Sequence, residues 1–170
     1  MAAGKKTGGR GEYYQYPFNL RTEIPDVPKW FKNTVVYNIF PDSFASGKRA
    51  LRQETRQAVL GNGNIVRGRL GGTLRGITEN LDYINKLGFR CLYLNPVFTA
   101  GEYHKYDVID YYHIDPCLGT EADFRELVES AHERGMRIII DGVFNHCSWR
   151  FFAFEDVIRN GEASRYKDWF

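Results

Sequence analysis

The sequence predicts an α/β fold with a parallel sheet. Three observations carry that expectation. From Thr34 onward, short β-rich apolar runs alternate with helical periods, the run Phe89 to Leu94 is apolar enough to suit a strand covered on both faces, and one strand-and-helix unit recurs. The recurrence sets Gly88-Phe89-Arg90, an apolar run and Asn95 against Gly135-Met136-Arg137, three isoleucines and Asp141. The spacing of the two glycines suits one βα unit with a long loop, and strand–helix–strand order implies right-handed crossovers.

Each element has its own signal. Val35 to Phe40 is a β-rich run stopped by Pro41-Asp42. The stretch Gly61 to Gly72, with five glycines, reads as a mobile loop. Thr73 then caps a helix in which Leu74, Ile77, Leu81, Ile84 and Leu87 recur at three- and four-residue steps, and Gly88 ends it. Phe89 to Leu94 is too short for a further helix, reads as a strand, and stops at Asn95-Pro96. Thr120 and Asp123 form an approximate capping box, with Asp in the usual Glu or Gln position, for a helix running through Phe124, Leu127, Val128 and Ala131 to Gly135. Met136 to Ile140 is the next strand, ending at Asp141. Two architectures share this pattern, the doubly wound open sheet and the βα barrel, and both gather ligands at the C-terminal ends of the strands. Function is therefore expected just after Phe40, Leu94 and Ile140.

Composition narrows the function classes. The 170 residues, 43% of them apolar, are enough for one domain with a core. Lys and Arg number 23 against 21 Asp and Glu, a net charge of +2 spread along the helical segments, which argues against nucleic acid as a partner. Cys91, Cys117 and Cys147 are odd in number and irregular in spacing, so a reducing compartment is expected. The basic, Gly-rich start MAAGKKTGGRG leads into no apolar stretch suited to a signal peptide, and no later stretch suits a membrane span. A cytoplasmic protein with a flexible segment over 1–29 is the expectation. His104, His113, Cys117, His146 and Cys147 lack the CxxC and HxxxH spacings of a zinc site. GNGNIVRGRLGG lacks the GK[ST] ending of a phosphate loop, and Pro41-Asp42-Ser43-Phe44 supplies none after the first strand.

Polar and aromatic residues collect where the fold class places a site. After the second strand come Gly101-Glu102-Tyr103-His104-Lys105-Tyr106-Asp107 and Asp110-Tyr111-Tyr112-His113. Aromatic faces beside hydrogen-bonding groups suit a sugar ring, which offers a C–H face and a rim of hydroxyls. A Tyr-rich loop packing on the rim is the competing reading. After the third strand, Asp141-Gly142-Val143-Phe144-Asn145-His146 turns abruptly from buried strand to polar cluster, as a site on a strand end requires. Its competing reading is an Asp that ends a strand and a His bonded locally.

Together VVYNIFPDSFASG, GRLGGTLRGITENLDYINKLGF, LYLNPVF, EYHKYDVIDYYHIDP and DGVFNHCSWRFFAFEDV resemble the α-amylase family of glycoside hydrolases, most closely its neopullulanase and cyclomaltodextrinase branch. The pieces occur in the family's order from Trp30 to Phe170. YYQYPFN resembles the join between that branch's N-terminal β-sandwich and its barrel.

The resemblance implies a partial TIM (β/α)8 barrel over 30–170, comprising about the first three βα units and incomplete as it stands. It implies an α-glucan oligosaccharide as partner. His146 then hydrogen-bonds the sugar in the cleavage subsite, Tyr106 stacks beneath that sugar, His104 lines it, and Asp141 is a buried carboxylate ordering the strand ends. No cofactor is required, calcium is left open with Asn145 as the candidate ligand, and a homodimeric parent is compatible. The family's mechanism is retaining hydrolysis of α-1,4 or α-1,6 bonds by an Asp nucleophile and a Glu acid. The nucleophile's GxRxD pattern does not occur before Phe170, and three strands fall short of the about eight that close a barrel, so the 170 residues alone are expected to be inactive and poorly folded. A non-catalytic α-glucan-binding protein derived from a decayed barrel is the alternative expectation.

Overall fold

The computed structural model describes residues 26–47, 58–59, 65–66 and 70–170. Most of the expected N-terminal segment 1–29, including YYQYPFN, lies outside the described residues. Two compact units divide between Asn33 and Thr34. In the first, Phe31 N–H donates to the Pro28 carbonyl and the Trp30 and Phe31 rings meet edge to face at 5.4 Å.

The second unit carries the predicted parallel sheet. Strands β1 (Val36–Ile39), β4 (Cys91–Leu94) and β7 (Arg137–Ile140) pair in the order β1-β4-β7, with Ile39 opposite Leu94 and Leu94 opposite Ile140. Among the described residues the sheet does not close into a barrel. A one-turn helix α1 (Pro41–Phe44) follows β1. Helices α2 (Leu74–Glu79) and α3 (Leu81–Lys86) lie between β1 and β4, and α4 (Glu121–Glu133) lies between β4 and β7.

Pleating sorts the side chains of this sheet. Ile39, Leu92 and Leu94 join Leu74, Ile77 and Leu127 in one fully buried core between strands and helices. Covering on both faces, expected of Phe89 to Leu94, fits β4, where Cys91, Leu92 and Leu94 are buried. β7, at the edge of the described sheet, is half-buried or exposed, and Ile140 is 38% exposed.

The helix expected over 73–87 is two helices. The Asn80 side-chain amide donates to the Gly76 carbonyl at 2.8 Å, and its backbone, at φ −107° and ψ 8°, leaves the helical path. A side chain that competes for the i−4 carbonyl bends or breaks a helix. The apolar stripe stays in step across the break, with Leu81 and Ile84 as fully buried as Leu74 and Ile77, but Leu87, expected as a core position, follows the last residue of α3 and is 53% exposed. The stop signals hold. Gly88 and Gly135 take φ of +95° and +68°, and after α4 the Gly135 N–H meets the His132 carbonyl while the Met136 N–H meets the Ala131 carbonyl. These two bonds make a Schellman end, for which a left-handed glycine is suited.

The capping box is complete. Asp123 N–H donates to the Thr120 hydroxyl oxygen at 3.2 Å, and Thr120 N–H donates to the Asp123 carboxylate at 2.8 Å. Asp123 also takes Arg75 at 2.9 Å, tying α4 to α2. The Thr120 hydroxyl bond is the largest influence holding the Asp123 carboxyl below its usual range, against a smaller upward push from burial. A lowered carboxylate contributes stability above its unfolded value near pH ~3.9, which is lost as pH falls through the folded value. Thr120→Ala is expected to cost about 1 kcal/mol at neutral pH and to flatten the acid limb of stability. Urea titrations between pH 7 and pH 3 check this, and a steeper acid limb in the variant would contradict it.

Two regions depart from the expected loops. Within Gly61 to Gly72, β3 (Ile65–Val66) pairs antiparallel with β2 (Ala58–Val59), and residues 60–64 and 67–69 lie outside the described residues. The tyrosine-rich segment is a hairpin, in which β5 (Phe98–Ala100) pairs antiparallel with β6 (Val108–Ile114). Its start, Val108-Ile109, is β-branched and suits a strand. After β7 comes a further helix, α5 (Phe152–Asn160).

Candidate functional site at the strand ends

The register of the sheet sets the site. Asn95 follows Leu94 and Asp141 follows Ile140, which are opposite one another, so the two polar residues emerge side by side at the C-terminal end of the sheet. Their main chains are held in step, with Asn95 N–H donating to Ile39 and Asp141 N–H to Leu94, both at 2.9 Å. The change from apolar strand to polar residue therefore occurs on two neighbouring strands at one level.

Tyr106, on the β5–β6 turn, reaches across to both. Its hydroxyl donates to Asp141 Oδ2 at 2.8 Å and accepts from Asn95 Nδ2 at 3.0 Å. The bond to Asp141 is the largest influence raising the Tyr106 phenol above its ordinary value, followed by burial, while Asn95 opposes them. Tyr93, one residue before Leu94, is raised by burial first and then by the Asp141 charge. Asp141 thus has two neutral phenols as neighbours at physiological pH. Asp141 itself is half-buried.

The two histidines hold the main chain of Tyr106 from either side. His104 Nδ1 accepts the Tyr106 N–H at 3.0 Å, which in the neutral ring puts the proton on Nε2. His146 Nε2 lies 2.9 Å from the Tyr106 carbonyl, an acceptor only, so this nitrogen carries the proton and donates. The other His146 nitrogen faces the Asn145 amide at 3.4 Å. The His104 and Tyr106 rings are 6.0 Å apart at 32°. All four residues singled out in the sequence, His104, Tyr106, Asp141 and His146, are therefore in one hydrogen-bonded cluster, with Tyr106 at its centre.

Three supporting residues were missed by sequence reasoning. Asn95 had a signal, since it occupies the place of Asp141 in the recurring unit. Tyr93 had none beyond its strand. Tyr111 donates to the Val143 carbonyl and, at 3.3 Å, to the His146 carbonyl, so it steadies the turn bearing His146. Burial, its largest influence, raises the Tyr111 phenol and keeps it a donor.

A calcium ion takes six to eight oxygen ligands. Among the described residues, no group of three or more His, Cys, Asp or Glu converges in a way that would hold a metal. Nor is any helix among them long and apolar enough to cross a membrane. The cluster can offer an aromatic face, a carboxyl group and two imidazole rings to a polyhydroxylated ring, which is the chemistry of sugar binding.

Comparison with known proteins gives the same direction. The family described as "Alpha amylase, catalytic domain" matches residues 38–170. A cyclomaltodextrinase of Geobacillus thermopakistaniensis is 43% identical over 158 residues, 93% of this chain and 27% of that protein. An intracellular maltogenic amylase of Bacillus subtilis has the same identity and coverage. Among solved structures, the debranching enzyme of Nostoc punctiforme superposes with a TM-score of 0.69 at 42% identity, covering 84% of this chain and 30% of that one. The cyclic α-maltosyl-(1→6)-maltose hydrolase of Arthrobacter globiformis, in complex with its cyclic sugar, gives 0.71 at 40% identity, covering 84% and 32%. The chain spans about a quarter of the length of the curated relatives it matches. With 38–170 matched by the family description, the chain belongs to the α-amylase family.

Proposed function

We propose that this chain supplies the substrate-binding wall of the cleavage subsite of a retaining α-glucan hydrolase, acting on maltodextrin, cyclodextrin, pullulan or starch. In this reading 30–170 provides the first three βα units of the barrel, and 1–29 is a linker from an N-terminal domain. The single observation that carries the proposal is the cluster around Tyr106 at the ends of β4 and β7. Tyr106 is the platform beneath the sugar ring, and His104 Nε2–H is a donor for a ring hydroxyl. His146 passes its Nε2–H from the Tyr106 carbonyl to the sugar as the ring settles. Asp141 fixes the tilt of the platform through the phenol.

The nucleophile and the general acid are assigned to carboxylates outside these 170 residues, and no carboxylate in the cluster takes either role. A cytoplasmic location belongs to the same proposal, supported by the cysteine pattern and by the relative named as intracellular. The test is to incubate the purified chain with maltodextrin and assay reducing ends, and to titrate it with maltotriose in a calorimeter. No hydrolysis is expected. Turnover by the 170 residues would overturn the assignment of the missing groups, and tight maltotriose binding without turnover would favour a non-catalytic glucan-binding protein.

A further inference from the structure

We propose that Lys105 is a positioning residue, a buried ionic pin that sets the main-chain conformation from which His104 and Tyr106 face the sugar. The inference rests on the sugar-binding reading of the cluster and concerns a residue that neither the motifs nor the site chemistry single out.

Lys105 has two uncommon properties at once. Among the described residues it is the only non-glycine in the left-handed region, with φ +62°, while the other positive-φ positions are all glycine. A side chain there is strained, and glycine is the unstrained choice. Lys105 is also 4% exposed, and its Nζ lies 2.6 Å from Asp115 Oδ2, the two side chains being 5% and 4% exposed. A buried ammonium is tolerated only when paired at good geometry. The turn does not need a side chain, so the pair with Asp115 is what demands a lysine.

Asp115 is a firm anchor. Its N–H donates to Val97 at 2.9 Å, its Oδ1 accepts the Cys117 N–H at 2.9 Å, and its carbonyl accepts Leu118 N–H at 2.9 Å. At the other end, the Lys105 N–H donates to Glu102 at 3.1 Å. Asp107 closes the same turn, accepting Gly101 and Glu102 N–H groups at 3.1 and 3.0 Å. The turn is thus closed at its ends by Asp107 and pinned at its middle by Lys105. Residues 104 and 106 flank that pin directly. With Lys105 buried, its exposed neighbours His104 and Tyr106 project to the surface.

The decisive variant is Lys105→Gly with Asp115→Asn in the full chain, because glycine accepts the left-handed φ and asparagine leaves no uncompensated charge. Hydrogen exchange is read on peptides covering 101–107 and on β4 as internal reference, together with calorimetric titration of maltotriose. Asp115→Asn alone, which leaves the sequence of the 101–107 peptide unchanged, is the second variant. The expected result is exchange about tenfold faster in 101–107 with β4 unchanged, and maltotriose affinity about tenfold weaker. Exchange in 101–107 equal to that of the original chain, or equal acceleration in the turn and β4, would overturn the pin. Selective acceleration in 101–107 with maltotriose affinity unchanged supports the pin and overturns the sugar-binding reading instead.

Discussion

Gly76→Ala is expected to destabilise the chain by about 2–3 kcal/mol, even though alanine is the better helix former by about 1 kcal/mol. A Cβ on Gly76 would lie 1.9 Å from the Ala45 carbonyl oxygen and 2.5 Å from its carbon, and both atoms are backbone. That backbone is tied to the start of α2, with Thr73 N–H donating to Ala45 at 2.9 Å and the Thr73 hydroxyl donating to Ser46 at 3.0 Å. The segment after α1 cannot withdraw without breaking the cap of α2, so steric overlap outweighs propensity. Gly88→Ala is the control. Open space surrounds its Cβ position, and only the φ of +95° opposes alanine. A smaller loss of about 1–2 kcal/mol follows there. Urea denaturation of both variants decides the matter, and a Gly76→Ala chain as stable as the original would refute the close approach.

Tyr106→Ala is expected to weaken maltotriose binding in the full chain by about 10- to 100-fold, from lost stacking area and from the untethering of Asp141. Tyr106→Phe keeps the ring but loses both hydroxyl bonds, so a smaller loss of several-fold follows. The two variants separate the platform from the tether, and equal losses would show that the ring face contributes nothing. The pH dependence follows from the phenol. A group whose folded value is raised contributes stability below its unfolded value, near pH ~10 for tyrosine, and loses it as pH rises through the folded value. The hydroxyl bond from Tyr106 to Asp141 therefore persists through neutral pH and fails only in the alkaline range. Binding measured from pH 7 to pH 11 should fall at the alkaline end for the original chain, with that Tyr106 component absent from Tyr106→Phe.

The sequence and the structure agree most closely where an element is governed by its own residues. Thr120 and Asp123 are three positions apart and meet through local geometry, so the capping box was legible. Gly88 and Gly135 end helices because only their own φ is at stake. The helix through Leu74 and Ile84 was legible as a face but not as a break. Asn80 acts by a side-chain bond to Gly76 that competes with the helix ladder, and periodicity does not register it. The β5–β6 hairpin was read as a loop because the aromatic and charged residues of its turn obscured the alternation on either side.

By itself the sequence determined the parallel strand order, the helix ends, and the placement of Asp141 and His146 just beyond a strand. Those features depend on alternation and capping within a few residues, and the family resemblance supplied the chemistry expected of them. Only the tertiary structure decided that Asn95 and Asp141 emerge side by side, that Tyr106 spans them, and that Lys105 pins the turn to Asp115. Asn95 and Asp141 lie on separate strands whose register is a property of the sheet. Lys105 and Asp115 are ten positions apart. Burial turns that pairing into a constraint, since a charge removed from water must find its partner, and burial exists only once the chain has folded.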